Sequence, residues 1–436
     1  MAPHRYSPER GWPNASQFWD ESAYTALMMT FATVGLVVFL FGISRFGTDF
    51  IPSMTNLFWA VGWLAAGLAL WLRPELMWRT VNRNIILLLL PILAALSALW
   101  SVTPSLSAFR GVLLLLNTFV GFALYFHFGL RRTLQAVFAF CFIAQVSSLG
   151  LIAIGHPSAF DHTGVVAKGF FLHKNNLAMN ACLLFFTSLV LFADNWRRLL
   201  MLLGVGAALA GLVVSTSGTG LIVCVLMFMI VCACAIIAFG LRASQLLFGL
   251  GLCVFSCILV GISMYGIDVY GLLLDGLGKD HTLTGRTVLW DFAWHSFNQN
   301  PFLGVGYFAY WNSTETTASS AMLALGVPLQ SFHNNFIDIL VGLGMVGFVA
   351  MVVVVVGLMM RTFLQFLKAR DAIVAWPFLY VCFMLIYCMS EYPLFWNGEY
   401  QMLFAFVAAA SANAPTRLRI FRPGPTPIGD VELISA

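Results

Sequence analysis

The sequence predicts an all-α polytopic membrane protein with about twelve transmembrane helices, and three observations carry that expectation. Of its 436 residues 60% are hydrophobic and only 9% charged, too few polar groups to clothe a water-soluble enzyme of this size. Apolar stretches near the ~20 residues that a spanning helix needs recur along the whole chain. The basic residues between them fall mainly in alternate connections, as short cytoplasmic loops require.

In order, the stretches are 24–44, 54–72, 85–100, 111–126, 134–155, 176–193, 199–215, 221–240, 246–265, 336–360, 376–389 and 400–412. With the N-terminus inside, 16 of the 22 basic residues face the cytoplasm, leaving Arg45, Arg110, Lys168, Lys174, Lys279 and Arg286 outward. A missed or extra span would scramble that alternation. The organisation expected is a cytoplasmic tail (1–23), nine spans (24–265), a large outward, periplasmic loop (266–332), three spans (333–412) and a second cytoplasmic tail (413–436). Acidic residues before Tyr24 and the lack of a small-residue cleavage site argue against a cleaved signal peptide. All nine cysteines fall inside expected spans, so neither loop disulfides nor a thiolate metal site is expected. The net charge of +4 follows from topology and gives no reason to expect nucleic acid as a partner.

Polar chemistry collects on the outward side. The 266–332 loop holds Trp290, Trp294, Tyr307, Tyr310 and Trp311 among polar residues, a composition suited to a small packed cap. His156, His162, His173, His281, His295 and His333 share that side, leaving only His4 and His127 for the cytoplasm. No charge lies near the centre of a span, and no inverted repeat is evident, which weighs against a transporter or lipid-linked sugar flippase.

Three outward segments stand out. "TLTGRTVLWDFAWHSFNQNPFLGVGYFAYW", 282–311, runs from Gly285-Arg286 through a helical pattern to an Asn-Pro and Gly-Val-Gly turn. "GFFLHKNNLAMN", 169–180, opens the sixth span with His173-Lys174-Asn175. "HNNFIDILVGLGMVG", 333–347, places His333-Asn334 nine residues before Gly344-x-x-Gly347.

These segments, with Trp100-Ser101-Val102-Thr103-Pro104 before the fourth span, resemble the signatures of the O-antigen ligase and Wzy-type polysaccharide polymerase superfamily. His173-Lys174-Asn175 and Thr284-Gly285-Arg286 are most similar to its ExoQ-type exopolysaccharide branch. The resemblance implies a GT-C-type glycosyltransferase with a periplasmic active site in the bacterial inner membrane, independent of metals and needing no cofactor. The donor implied is an undecaprenyl-pyrophosphate-linked oligosaccharide. The acceptor is a growing glycan for a polymerase, the first expectation, or lipid A-core for an O-antigen ligase, the alternative. The bilayer itself and other export-machinery membrane proteins are the further partners expected. One departure is Gly218 in "STSGTG", 215–220, where many members carry Arg or Lys.

Such transfer needs a cation for the leaving pyrophosphate and a base for the acceptor hydroxyl. Arg286 suits the first, because its planar fork binds phosphate oxygens bidentately. Lys174, at a helix start where free N–H groups favour anions, is the second candidate, or else a headgroup anchor. Histidine ordinarily titrates near neutrality, which suits a base. His333 and Arg286 are therefore the expected catalytic pair, with His173, Lys174, Asn175, Asn334 and Asn335 as substrate-binding residues and no metal ligands. Asn334 and Asn335 have a second reading as helix caps, as does His333. Gly342, Gly344 and Gly347 are expected to let a second helix pack closely against the tenth span.

Overall fold

The computed structural model describes residues 28, 30–36, 55–161, 164–239, 286–326, 328–395 and 399–413. Most of the first expected span, the ninth span, His162, His281 and the Thr284-Gly285 pair lie outside the described residues. Within them the chain is all-helical apart from one antiparallel bridge between Phe160 and Ala167. The α-helices are α1 (Thr55–Trp71), α2 (Pro74–Arg83), α3 (Ile85–Leu96), α4 (Pro104–Ala153), α5 (Lys174–Ala193), α6 (Arg198–Ser215), α7 (Gly218–Phe239), α8 (Arg286–Gln299), α9 (Ala318–Leu325), α10 (Asn335–Ala369), α11 (Ala372–Cys388) and α12 (Glu399–Asn413).

Five of these, α4, α5, α6, α7 and α10, are each long and apolar enough to cross a membrane, and the α1–α2 pair makes six if it is one span bent by 101°. The chain is thus a multi-pass membrane protein. Helix α4 covers both the fourth and fifth expected spans, because its 50 residues change direction at Gly129 (φ 70°). Helices α3, α11 and α12, at 12, 17 and 15 residues, are shorter than a full span. Helix starts follow local chemistry: proline opens α2 and α4, where its missing N–H costs nothing. Asp371 caps α11 by accepting from the Ile373 and Val374 N–H groups at 2.9 and 3.2 Å.

Helix α5 is the most enclosed of the spanning helices, and buried neutral polar pairs join it to its neighbours. Asn180 donates to Gln145 at 2.8 Å, and the Trp376 indole donates to Thr187 at 2.9 Å. Such bonds tie helices together where lipid offers no hydrogen-bonding alternative. At the end of the molecule remote from the site described below, Arg361 donates to Asn84 at 2.8 Å. Arg83 donates there to the Ala412 carbonyl at 2.8 Å, binding α10 and α12 to the α2–α3 corner.

The glycines of α10 depart from expectation. Gly344 (φ 64°, ψ −164°) breaks the helix, and what packs there is the 301–306 turn instead of another helix. The break leaves backbone groups unpaired, and the turn satisfies them from both sides. Val305 and Gly306 donate to the Val341 and Gly342 carbonyls at 3.0 and 2.9 Å; Met345 and Val346 donate to the Pro301 and Phe302 carbonyls at 2.8 and 3.2 Å. A Cβ on Gly344 would lie 2.3 Å from the Phe302 backbone, and one on Gly304 would lie 2.5 Å from the Val341 carbonyl oxygen.

The Trp100-to-Pro104 segment holds the other side of that turn. Trp100 Nε1 donates to the Leu303 carbonyl at 2.9 Å, and the Val102 N–H donates to Val305 at 3.1 Å. Ser107 Oγ donates to the Tyr307 carbonyl at 2.8 Å, and the Tyr307 N–H donates to Ser97 Oγ at 3.0 Å. Above the turn, α8, α9 and the 305–332 segment share a small apolar core of Leu289, Ala293, Val305, Tyr310, Leu329 and Phe332. The described part of the aromatic-rich loop, from Arg286 on, thus gathers around one small apolar core.

Gly344→Ala combines a backbone conformation that only glycine adopts easily with a main-chain clash. It is expected to cost on the order of 2–5 kcal/mol and to lower markedly the thermal midpoint of the detergent-solubilised protein. Gly357→Ala, on the same helix with open space around it, serves as control and should leave the midpoint nearly unchanged.

Candidate active site

The site assembles around a residue that the sequence reading did not select. Glu391 sits just past the end of α11, and its side chain is 15% exposed. Its Oε1 accepts from Asn175 Nδ2 at 2.7 Å and lies 3.5 Å from an Arg286 guanidinium nitrogen; its Oε2 lies 3.4 Å from His333 Nδ1. One carboxylate thus collects the first turn of α5, the start of α8 and the residue preceding the α10 cap, segments far apart in sequence.

Each partner is placed by local structure. Asn334 caps α10, its Oδ1 accepting from the Phe336 and Ile337 N–H groups at 3.0 and 3.3 Å while its amide donates to the Met389 carbonyl at 3.2 Å. The Asn335 N–H donates to the Glu391 carbonyl at 3.1 Å, and its side chain accepts from the Leu394 N–H at 2.9 Å. Both asparagines therefore fix the 389–395 loop, and Asn334 is also a cap. His333 holds a left-handed backbone (φ 51°), uncommon for a side chain of its type, and its N–H donates to Ser331 Oγ at 3.2 Å. The imidazole is 35% exposed and packs edge-on against Tyr392 at 6.1 Å between ring centroids.

Asn175 extends the cluster toward α7. Its Oδ1 accepts from Ser217 Oγ at 2.9 Å, and Ser217 Oγ accepts in turn from the Gly220 N–H at 3.2 Å. The N-terminal ends of α5 and α7 thereby meet, and a Cβ on Gly220 would lie only 2.4 Å from the Ala178 Cβ. Gly218, where a basic residue was expected, opens α7 beside Asn175, so Lys174 is the cation of the adjoining helix start. Lys174 is half-buried and forms no ion pair among the described residues. His173 is exposed, contributes no side-chain cap, and makes no hydrogen bond to the Glu391 cluster among the described residues. Arg110 is engaged elsewhere, its guanidinium stacked over the Phe308 ring at 4.8 Å.

Of the seven residues expected in the site, five come together: Arg286, His333, Asn175, Asn334 and Asn335. Glu391 and Ser217 were missed. Ser217 lay inside the 215–220 segment, where attention went to the missing basic residue. Glu391 is one acidic residue in an aromatic-rich connection, "SEYPLFWNGEY", 390–400, whose only signal was a carboxylate at the end of a span expected to face outward. No cluster of three or more His, Cys, Asp or Glu side chains able to hold a metal ion occurs among the described residues.

The arrangement has clear chemical capacity. A carboxylate on Nδ1 of His333 favours the tautomer with its proton there, leaving Nε2 as a proton acceptor. Arg286 keeps donors beyond the one aimed at Glu391, and Lys174 adds charge beside two helix N-termini.

The chain has counterparts among proteins of O-antigen ligation and exopolysaccharide production. Residues 202–352 match the family model described as O-antigen ligase, a stretch holding Ser217, Arg286, His333, Asn334 and the broken part of α10. The exopolysaccharide production protein ExoQ of Rhizobium meliloti (strain 1021) is 28% identical over 274 residues, covering 61% of this chain and 62% of that protein. The aligned part thus spans about three fifths of the relative's length. The chain is similar to the O-antigen ligase and Wzy-type superfamily, on its ExoQ-like side.

Glu391→Ala would leave Arg286 and Asn175 without their shared acceptor. It is expected to destabilise the detergent-solubilised protein by about 1–3 kcal/mol, read from its thermal midpoint. His333→Asn, which suits a left-handed backbone, should leave the midpoint unchanged or raise it.

Proposed function

We propose that the chain is a membrane glycosyltransferase that moves a glycan from undecaprenyl pyrophosphate to an acceptor sugar hydroxyl, polymerising exopolysaccharide repeat units at the periplasmic face of the inner membrane. The observation that carries this reading is the convergence of Arg286, His333 and Asn175 on Glu391 at the end of the bundle to which the basic-residue distribution assigns the outward side.

In the proposed step the acceptor hydroxyl oxygen attacks the anomeric carbon and its proton passes to His333 Nε2. The bond from that carbon to the pyrophosphate oxygen breaks, and undecaprenyl pyrophosphate leaves with the bonding electron pair. Arg286 and Lys174 stabilise the charge that gathers on the leaving group, in an environment where oriented charges act more strongly than in water. Glu391 keeps the imidazole in its productive tautomer and stabilises the imidazolium that forms; bulk water then takes the proton. Both cations belong to the chain itself, so the step is written without a metal or other cofactor. Asn175 and Ser217 fix the mutual position of α5 and α7, and Lys174 serves in place of a basic residue at Gly218.

The nearest competing reading keeps the donor and changes the acceptor to lipid A-core. The O-antigen ligase description of the 202–352 match favours it, whereas the ExoQ relative favours polymerisation. Deleting the gene separates them: loss of long chains is the expected result, loss of attachment with polymer intact supports the ligase, and accumulation of lipid-linked repeats on the cytoplasmic side supports a flippase.

With purified protein and lipid-linked repeat units, His333→Ala is expected to lower transfer by about 10²- to 10⁴-fold with donor binding kept. Arg286→Lys, which keeps charge but loses the fork, should weaken donor binding and turnover together. Near wild-type transfer by folded His333→Ala protein would return His333 to a structural role.

A further inference from the structure

His333 stands in a backbone conformation that a histidine seldom takes (φ 51°), and the residue before it carries the constraint. Phe332 is 1% exposed, and its ring meets those of Tyr310 and Trp311 with centroids 4.8 Å away in each case. Its main chain is bonded on both sides. The Phe332 N–H donates to Asp338 Oδ1 at 3.0 Å, and the Trp290 indole donates to the Phe332 carbonyl at 3.0 Å. The His333 N–H, at the far end of that second peptide group, donates to Ser331 Oγ at 3.2 Å.

These bonds restrain two successive peptide planes. The backbone is soft only at the dihedral angles between planes, so holding both planes in succession removes that freedom. The first plane ends at the Phe332 N–H and the second runs from the Phe332 carbonyl to the His333 N–H. Together they set φ and ψ of Phe332 and the direction in which the chain enters His333. Asn334 fixes the exit from His333 as the cap of α10. A left-handed histidine held from both sides keeps its imidazole on Glu391, with Nδ1 3.4 Å from Oε2.

Asp338 suits this clamp better than a neutral side chain would. It lies in the first turn of α10, where free helix N–H groups favour an anion. The Trp311 indole N–H is directed at the same carboxylate, so the side chain faces two donors, one from the main chain and one from an indole. A carboxylate accepts at both oxygens; an amide of the same shape accepts at only one and turns its own N–H groups toward the other donor. Trp290 lies one helical turn beyond Arg286 in α8. Its bond to Phe332 therefore ties the helix that carries the arginine to the segment that carries the histidine.

We infer that Asp338 is a positioning residue for His333, acting together with Trp290 through the Phe332 main chain. The inference rests on the glycosyltransferase reading and deepens it. Neither residue takes part in the transfer itself; both decide whether the imidazole stands where an acceptor hydroxyl reaches it.

The test measures kcat, donor KM and thermal midpoint for the full chain in detergent, with lipid-linked repeat units as donor. Asp338→Asn keeps the shape and removes one acceptor and the charge. Trp290→Phe keeps an aromatic ring and every charge and removes the indole donor. Each is expected to lower kcat about tenfold at unchanged donor KM, and neither should slow the His333→Ala protein further, since both act only through that imidazole. A donor KM that rises as kcat falls, or equal losses with and without the imidazole, would overturn the inference and leave the clamp a part of the general fold. A slow Asp338→Asn protein beside a wild-type rate in Trp290→Phe would also overturn it, assigning the effect to the carboxylate's charge. Where Asp338→Asn lowers the midpoint, Trp290→Phe decides alone. Wild-type transfer with unchanged rates in both variants removes the inference and leaves the glycosyltransferase reading standing. Wild-type protein that transfers no glycan removes that reading, and the inference with it.

Discussion

The backbone exchange at Gly344 is the constraint on which the site's geometry depends. A spanning helix cannot be interrupted in an apolar setting unless its freed N–H and C=O groups find partners. Here the 301–306 turn supplies two donors and two acceptors, and Trp100, Val102 and Ser107 hold that turn from its other side. The interruption fixes the first turns of α10, and the asparagines there anchor the loop that carries Glu391. Placing the carboxylate between Arg286 and His333 is thus the last step of a chain of main-chain contacts.

This order explains why three separated sequence segments act together. The Trp100 segment and the Gly-Val-Gly turn contribute little chemistry of their own, and their work is to seat α10. The His-Asn start of α10 performs two tasks at once. Asn334 and Asn335 satisfy the helix end and the 389–395 loop, while His333 accepts a left-handed backbone that projects its ring toward Glu391. Strain at such a position is tolerated where the surrounding structure enforces it, as the cap and the Ser331 bond do here.

Much of this was legible in the sequence, and the misses have physical reasons. Hydropathy revealed an all-helical membrane chain, because apolar length is a local property, and the aromatic content of the expected 266–332 loop fits the small core that its described residues share. The Gly344-x-x-Gly347 spacing pointed to close helix packing, whereas Gly344 breaks the helix, and both outcomes carry the same sequence signature. Choosing between them requires knowing that Gly304, Val305 and Gly306 lie alongside, a fact of tertiary structure. Glu391 escaped for a similar reason: a lone carboxylate after an apolar span has no spacing signature, and its meaning arises only when Asn175, Arg286 and His333 meet it. His173, prominent in its motif, turned out to be exposed, while its neighbour Asn175 joined the cluster. Helix α4, by contrast, changes direction at Gly129, inside the 127–133 connection expected between the fourth and fifth spans.

The central claim is that Glu391 and His333 act as one unit in proton transfer, and a double-mutant cycle tests it most directly. Single-turnover transfer would be measured for wild type, His333→Gln, Glu391→Gln and the double variant, with thermal midpoints recorded for each. If the carboxylate works through the imidazole, the double variant should be no slower than His333→Gln alone, because a carboxylate that positions a ring has nothing left to position once the ring is gone. Losses that multiply in full would contradict the account, separating Glu391 from His333 and leaving the 3.4 Å contact between them a structural neighbour with no part in the reaction.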